Sequence, residues 1–110
     1  MDMKAQKAET EQVFREIAAM ERLPARAVIS FQFLAEDDRS DWDAFTEAAE
    51  GQGYDVEWYG AEDADDEPTF EVSTPEVELS VETLWAHEER LTLLGAVHGF
   101  VPDGWGFAGA

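Results

Sequence analysis

Residues 27–34 read Ala27-Val28-Ile29-Ser30-Phe31-Gln32-Phe33-Leu34. Ala27, Ile29, Phe31 and Phe33 fall on one side of a two-residue period and Ser30 and Gln32 on the other, which predicts a strand with one dominant apolar face. Before it, from about Ala8 to Glu21, the apolar residues Val13, Phe14, Ile17, Ala18 and Met20 recur at helical spacing among Glu9, Glu11, Gln12, Arg15 and Glu16. That pattern predicts an amphipathic helix of about residues 8–22, ended by the approach to Pro24.

After the strand, Ser40 and Asp43 form a Ser-x-x-Asp start, with Asp41 and Asp43 in the first turn, where a helix N-terminus favours negative charge. Trp42, Phe45 and Ala49 follow at spacings of three and four, and Gly51 and Gly53 supply the stop. Tyr54, Val56 and Trp58 alternate with Asp55 and Glu57, a second strand with one acidic face. Thr69-Phe70-Glu71-Val72 and Val77-Glu78-Leu79 alternate again on either side of Thr74-Pro75, so a third strand is bent or divided by a proline that cannot donate to a ladder. Ser80 can cap a third helix from about Val81 to His98, with Leu84, Leu91, Leu94 and His87 or Glu88 on one stripe and Gly99 as its end. Phe100 to Phe107 reads as a Pro-Asp-Gly turn and a short aromatic strand.

The order strand, helix, strand, strand, helix, strand, with right-handed crossovers, places two helices on one face of a four-stranded antiparallel sheet. The expected fold is therefore α+β, a ferredoxin-like βαββαβ two-layer sandwich over about residues 26–108 with an additional N-terminal helix. The leading helix could cover a sheet edge, lie on the open face or extend free. The whole of residues 1–110 is expected to be a single domain, and no repeat is visible.

Composition narrows the function. The 110 residues carry 26 Asp and Glu against 7 Lys and Arg, a formal net charge of -19. Residues 1–40 hold 8 acidic and 6 basic side chains, whereas residues 41–110 hold 18 acidic and a single base, Arg90. So negative a chain repels phosphate and lacks the basic footprint of nucleic-acid binders, which argues against direct contact with RNA, DNA or anionic lipid. Its surface suits solubility in salt or, more pointedly, a basic protein partner, because complementary potentials speed encounter and fix orientation. The apolar share of 45% exceeds what a disordered acidic tail carries, so the chain is expected to fold. At this length it buries roughly 65% of its unfolded surface, enough for one core.

Absence of cysteine removes disulfides, thiolate metal sites and cysteine nucleophiles. The start, Met1-Asp2-Met3-Lys4-Ala5-Gln6-Lys7, lacks a signal-like apolar run, and no segment approaches the ~20 apolar residues of a membrane span. The expected location is the cytoplasm, with no membrane association.

No catalytic constellation emerges. His87-Glu88-Glu89 begins like the His-Glu-x-x-His zinc motif, but the second histidine would have to stand where Leu91 does. His87 and His98 share a helix face yet are roughly 16 Å apart along the axis, too far to grip one ion. His87 then reads as a partly buried or surface histidine and His98 as a helix C-terminal residue suited to the dipole. Glu62, Asp63, Asp65, Asp66 and Glu67 offer oxygens for calcium without the EF-hand order or its distant glutamate, which fits a solvated or partner-facing loop better than a metal site. There is no Gly-x-Ser-x-Gly elbow and no phosphate-binding glycine loop. Neither cofactor nor metal is expected. Gly104, Gly106 and Gly109 around Trp105 and Phe107 fit a turn and bulge that lay Trp105 on the sheet, or an exposed tryptophan that anchors a partner.

Three stretches carry a family resemblance. Pro102-Asp103-Gly104-Trp105-Gly106-Phe107 follows a helix of the type Leu91-x-x-Leu94-x-x-Val97. Phe33-Leu34-Ala35-Glu36-Asp37-Asp38 precedes Trp42-x-x-Phe45-x-x-Ala48-Ala49, and Gly53-Tyr54-Asp55-Val56 opens the second strand. Together with the acidic leading helix, over about residues 8–107, these resemble the regulator of ribonuclease E activity B family, the RraB-like domain, with its Asp-Gly-Trp-Gly segment after the last helix. The resemblance implies a ferredoxin-like, non-enzymatic domain that binds protein and inhibits the endonuclease ribonuclease E, with no catalytic residues to carry over. The expected partner is ribonuclease E or another basic protein; the alternative is an acidic interaction domain with an unrelated partner. The candidate surface is the loop Glu62, Asp63, Asp65, Asp66 and Glu67 with Asp55 and Glu57, backed by Asp103, Gly104, Trp105 and Gly106. Oligomeric state is not set by the sequence.

Overall fold

The alternation that begins at Ala27 continues to both sides, and β1 spans Arg26–Ala35 with Ala27, Ile29, Phe31 and Phe33 buried. This strand is the middle of the sheet in a computed structural model that describes residues 3–35, 41–59 and 69–109. Around it the chain forms α1 (Met3–Met20), α2 (Trp42–Gly51), β2 (Asp55–Tyr59), β3 (Thr69–Ser73), β4 (Val77–Glu78), α3 (Val81–Val97) and β5 (Phe100–Gly109). The architecture is α+β: three helices and an antiparallel open sheet.

β1 pairs antiparallel with β3 on one side, from Ser30↔Ser73 to Leu34↔Thr69, and with β5 on the other, from Ala27↔Gly109 to Ala35↔Phe100. β2 pairs antiparallel with the far side of β3. β2 and β5 are therefore the two sheet edges. The expected division at Pro75 is found: β3 ends at Ser73 and β4 resumes beside β1 with Arg26↔Glu78 and Ala27↔Val77. Thr74 patches the gap, its N–H donating to the Ile29 carbonyl at 2.8 Å while its Oγ1 accepts from the Ile29 N–H at 3.0 Å. Arg26 adds a bond from Nε to Glu76 Oε1 at 3.2 Å.

Buried side chains from one sheet face meet the helices. Phe45 of α2 stacks on Phe70 of β3 (centroids 4.8 Å, planes 17° apart) and meets Phe33 of β1 edge-on at 5.2 Å. Phe100, Leu84 and Leu91 complete this core, and Phe14 of α1 packs against it. All three helices thus lie on the same side of the sheet, which settles the position of the leading helix. The opposite face is polar, with Ser30 Oγ 2.9 Å from Ser73 Oγ and Gln32 Nε2 donating to Glu71 Oε2 at 3.3 Å.

Three boundaries differ from expectation. α1 begins at Met3, a turn and a half before the apolar periodicity, because Gln6 and Thr10 are packing residues. The cap of α2 is Asp41, whose side chain accepts from Ala44 N–H at 3.0 Å; Ser40 lies outside the described residues. Ser80 caps α3 as expected, accepting from Thr83 N–H at 3.1 Å. The third difference is β5, one ten-residue strand where a turn and a short strand were expected.

Candidate functional site at the cleft between α1 and β5

The strand order separates the residues expected to form one surface. Asp55 and Glu57 are exposed on β2, whereas Asp103, Gly104, Trp105 and Gly106 belong to β5 at the other edge. β3 and β1 stand between them, a span of about 14 Å at the usual strand spacing. The two groups do not form one patch. Glu62, Asp63, Asp65, Asp66 and Glu67 lie outside the described residues. Asp55 and Glu57 do share the polar sheet face with Glu71, which is opposite Glu57 in the ladder, so that edge concentrates negative charge.

Pro102 to Gly106 forms a bulge rather than a turn. Gln32 is opposite Gly104 and Phe33 opposite Pro102, so Asp103 is the extra residue. Its insertion shifts the alternation by one, and Trp105 lands opposite Phe31 on the helix-covered face. Gly104 carries the bend at φ +151°, a conformation that side-chain-bearing residues rarely adopt. Trp105 is half-buried and stacks on Phe107 (6.5 Å, planes 20° apart).

Between Trp105 and α1 runs a cleft. Its inner hollow, about 270 Å³, is walled by Val13, Phe31, Phe33 and Trp105 and reaches Glu88 of α3. The outer hollow, about 470 Å³, shares Val13 and Trp105 and continues along Ile17, Met20 and Phe107. Met20 is 83% exposed and Val13 37%, so the apolar side of α1 is only partly covered by its own fold.

Glu88 is only 5% exposed. Thr10 Oγ1 donates to both of its oxygens, at 2.8 and 3.0 Å, and Gln6 Nε2 donates to Oε2 at 2.7 Å while also reaching Thr92 Oγ1 at 3.1 Å. Burial pushes the Glu88 carboxyl above the usual range; these donors act against that shift, and the nearby Glu9 charge adds to it. The sequence put either His87 or Glu88 on the helix stripe and did not reveal the partners of Glu88, since Gln6 and Thr10 are polar, distant in sequence and without periodic signal.

A second polar group is structural. Tyr54 Oη lies 2.7 Å from His87 Nδ1, and Arg90 Nη1 donates to Tyr54 Oη at 3.4 Å. With Arg90 donating, the tyrosine hydroxyl can donate onward to an unprotonated Nδ1. Burial first, and then the Arg90 charge, hold His87 below its ordinary value of 6.5. His98 caps α3, its ring stacked on Phe45 at 6.2 Å. Among the described residues, no group of three or more His, Asp or Glu side chains could hold a metal ion, and no helix is long and apolar enough to cross a membrane.

The cleft offers apolar walls, an aromatic face and a buried carboxylate, a combination that suits binding. The sequence matches, over residues 7–107, the family described as regulator of ribonuclease activity B. No curated protein matches it.

Proposed function

This chain belongs to the regulator of ribonuclease activity B family, and from that premise we propose that it inhibits a ribonuclease E type endoribonuclease by protein contact, without catalysis of its own. The observation that carries the reading is the family match across nearly the whole chain. The charge supports it: a domain of net charge -19 attracts a basic partner, because complementary potentials speed encounter. Docking on the enzyme's basic, RNA-contacting or scaffold segments would occlude them or compete with RNA. On this reading the chain acts in the cytoplasm. The strand order β2-β3-β1-β5 with α2 and α3 as crossovers supports the ferredoxin-like arrangement.

The acidic candidates are Asp55 and Glu57 at the β2 edge and, between β2 and β3 in the chain, Glu62 to Glu67. They provide long-range attraction, which salt screens with a Debye length of about 10 Å at 0.1 M. The test is cleavage of a ribonuclease E substrate RNA by the host's full-length enzyme, with and without this protein, at two salt concentrations. Inhibition that fades with salt is expected. No effect at low salt, together with failure of the two proteins to co-purify, overturns the reading and leaves an acidic interaction domain with another partner. Reversing charge at Asp63, Asp65 and Asp66 is expected to weaken the association; unchanged affinity at low salt removes that loop from the interface.

A further inference from the structure

Glu88 presents half of an ion pair. Its carboxylate is buried, it accepts three hydrogen bonds from neutral donors of α1, and the salt bridge found among the described residues does not involve it. A carboxylate has about four lone-pair sites. Among the described residues Oε1 accepts from Thr10 alone, which leaves the carboxylate spare capacity, and Glu88 lines the inner hollow. The walls next to it are Phe31, Phe33 and Trp105, and the exposed Glu9 and Asp103 also line that hollow.

We propose that the cleft between α1 and β5 is a docking site for an arginine-bearing basic segment of a partner protein, with the arginine side chain in the inner hollow, its stem against Trp105 and its guanidinium on Glu88. This rests on the reading that the protein acts by binding protein. A hollow of about 270 Å³ accommodates one long side chain, not a helix. Arginine fits better than lysine because a guanidinium is less strongly hydrated, stacks on an indole face and bonds a carboxylate through a planar fork. The desolvation cost of the carboxylate is already borne by the folded protein, so the incoming cation completes a pair instead of creating one. Glu9 and Asp103 raise the local concentration of cations at the cleft. An apolar side chain beside the arginine would occupy the outer hollow along Ile17, Met20 and Phe107.

The full chain is titrated with N-acetyl-arginine amide, N-acetyl-lysine amide and the neutral isostere N-acetyl-citrulline amide at constant ionic strength. The Trp105 indole N–H and the Gln6 side-chain amide are followed by NMR. Saturable shifts with arginine are expected, at least fivefold weaker with citrulline and weaker with lysine. Glu88→Gln is expected to lower arginine affinity at least tenfold. Should that variant not fold, Val13→Trp, which fills the hollow from a partly exposed helix position, is expected to do the same. Equal shifts with arginine and citrulline, or affinity unchanged in a folded Glu88→Gln or Val13→Trp variant, overturn the site.

The ribonuclease assay separates this from the broader reading. If wild type and both variants inhibit equally, the cleft is not the docking site while regulation by contact stands. Arginine binding that depends on Glu88, in a protein that does not bind the ribonuclease, supports the site and sinks that choice of partner.

Discussion

Thr10→Val isolates the bond that fastens α1 to α3. Valine has nearly the shape and helix propensity of threonine, so the substitution removes the hydroxyl that donates to both Glu88 oxygens at 2.8 and 3.0 Å while keeping the packing of a residue 3% exposed. A hydrogen bond to an ionised acceptor contributes about 1.5–3 kcal/mol, one to a neutral acceptor about 0.5–1.5. With unfolding entropy near 2.1 cal/mol/K per residue, 110 residues give about 4 °C per kcal/mol, so the loss at pH 7 is about 6–13 °C in Tm. The pH dependence is the sharper test. Because the folded Glu88 value is raised above 4.5, the stability linked to its protonation is fully present below 4.5 and is lost as pH rises through the folded value. Thr10 favours the ionised form, so the valine variant raises the folded value further and its deficit grows with pH. Urea unfolding of both proteins at pH 7 and about pH 4 should give a deficit at the higher pH roughly twice that at the lower. Equal deficits, or a loss under about 0.5 kcal/mol at pH 7, would refute the assignment of this contact as a charge-assisted anchor.

Other outcomes follow from the same packing. Gly104→Ala, at φ +151°, should cost about 1–3 kcal/mol of backbone strain, whereas Gly106→Ala, with nothing within 4 Å, should cost less than about 0.5; equal urea midpoints for the two would remove the bulge argument. Gly95→Ala places a Cβ 3.2 Å from Phe33 Cε1 and 3.4 Å from Phe45 Cζ, so crowding of about 1–3 kcal/mol should outweigh the roughly 1 kcal/mol gained in helix propensity; a raised Tm would contradict it. His87, held below 6.5, contributes stability fully present above 6.5 and lost as pH falls through its folded value. Wild type should therefore lose more stability than His87→Gln between pH 7.5 and 5, read from urea midpoints, and parallel losses would count against a half-buried neutral imidazole.

Where the sequence was legible, local periodicity decided the matter. The alternation of β1, the Ser80 cap and the break at Pro75 each involve residues within a few positions of one another, and each is where it should be. What escaped depends on partners far along the chain. Pro102-Asp103-Gly104 has turn residues, yet nine residues of β1, Ala27 to Ala35, pair along β5, and the chain keeps that ladder through a register shift that leaves Asp103 as the extra residue. Gln6 and Thr10 look like solvent-facing positions until Glu88, 78 residues beyond Thr10, is placed against them. The separation of Asp55 and Glu57 from Asp103 to Gly106 was implicit in the expected strand order, since that order makes the second and last strands opposite edges.

That separation bears on how an acidic regulator could choose its target. Exposed carboxylates such as Asp55 and Glu57 sit in water, where each ion pair contributes little and responds to almost any basic surface. They can accelerate encounter without distinguishing one basic protein from another. Discrimination needs contacts that are desolvated and geometrically demanding, because a wrong partner must then leave a buried group unpaired. Among the described residues Glu88 is the buried carboxylate, and the hollow beside it is walled by Phe31, Phe33 and Trp105. If the proposed roles hold, encounter at the acidic edge and selection at the cleft fall on opposite sides of the sheet, so charge reversal at the first should slow association while a neutral Glu88 should speed dissociation.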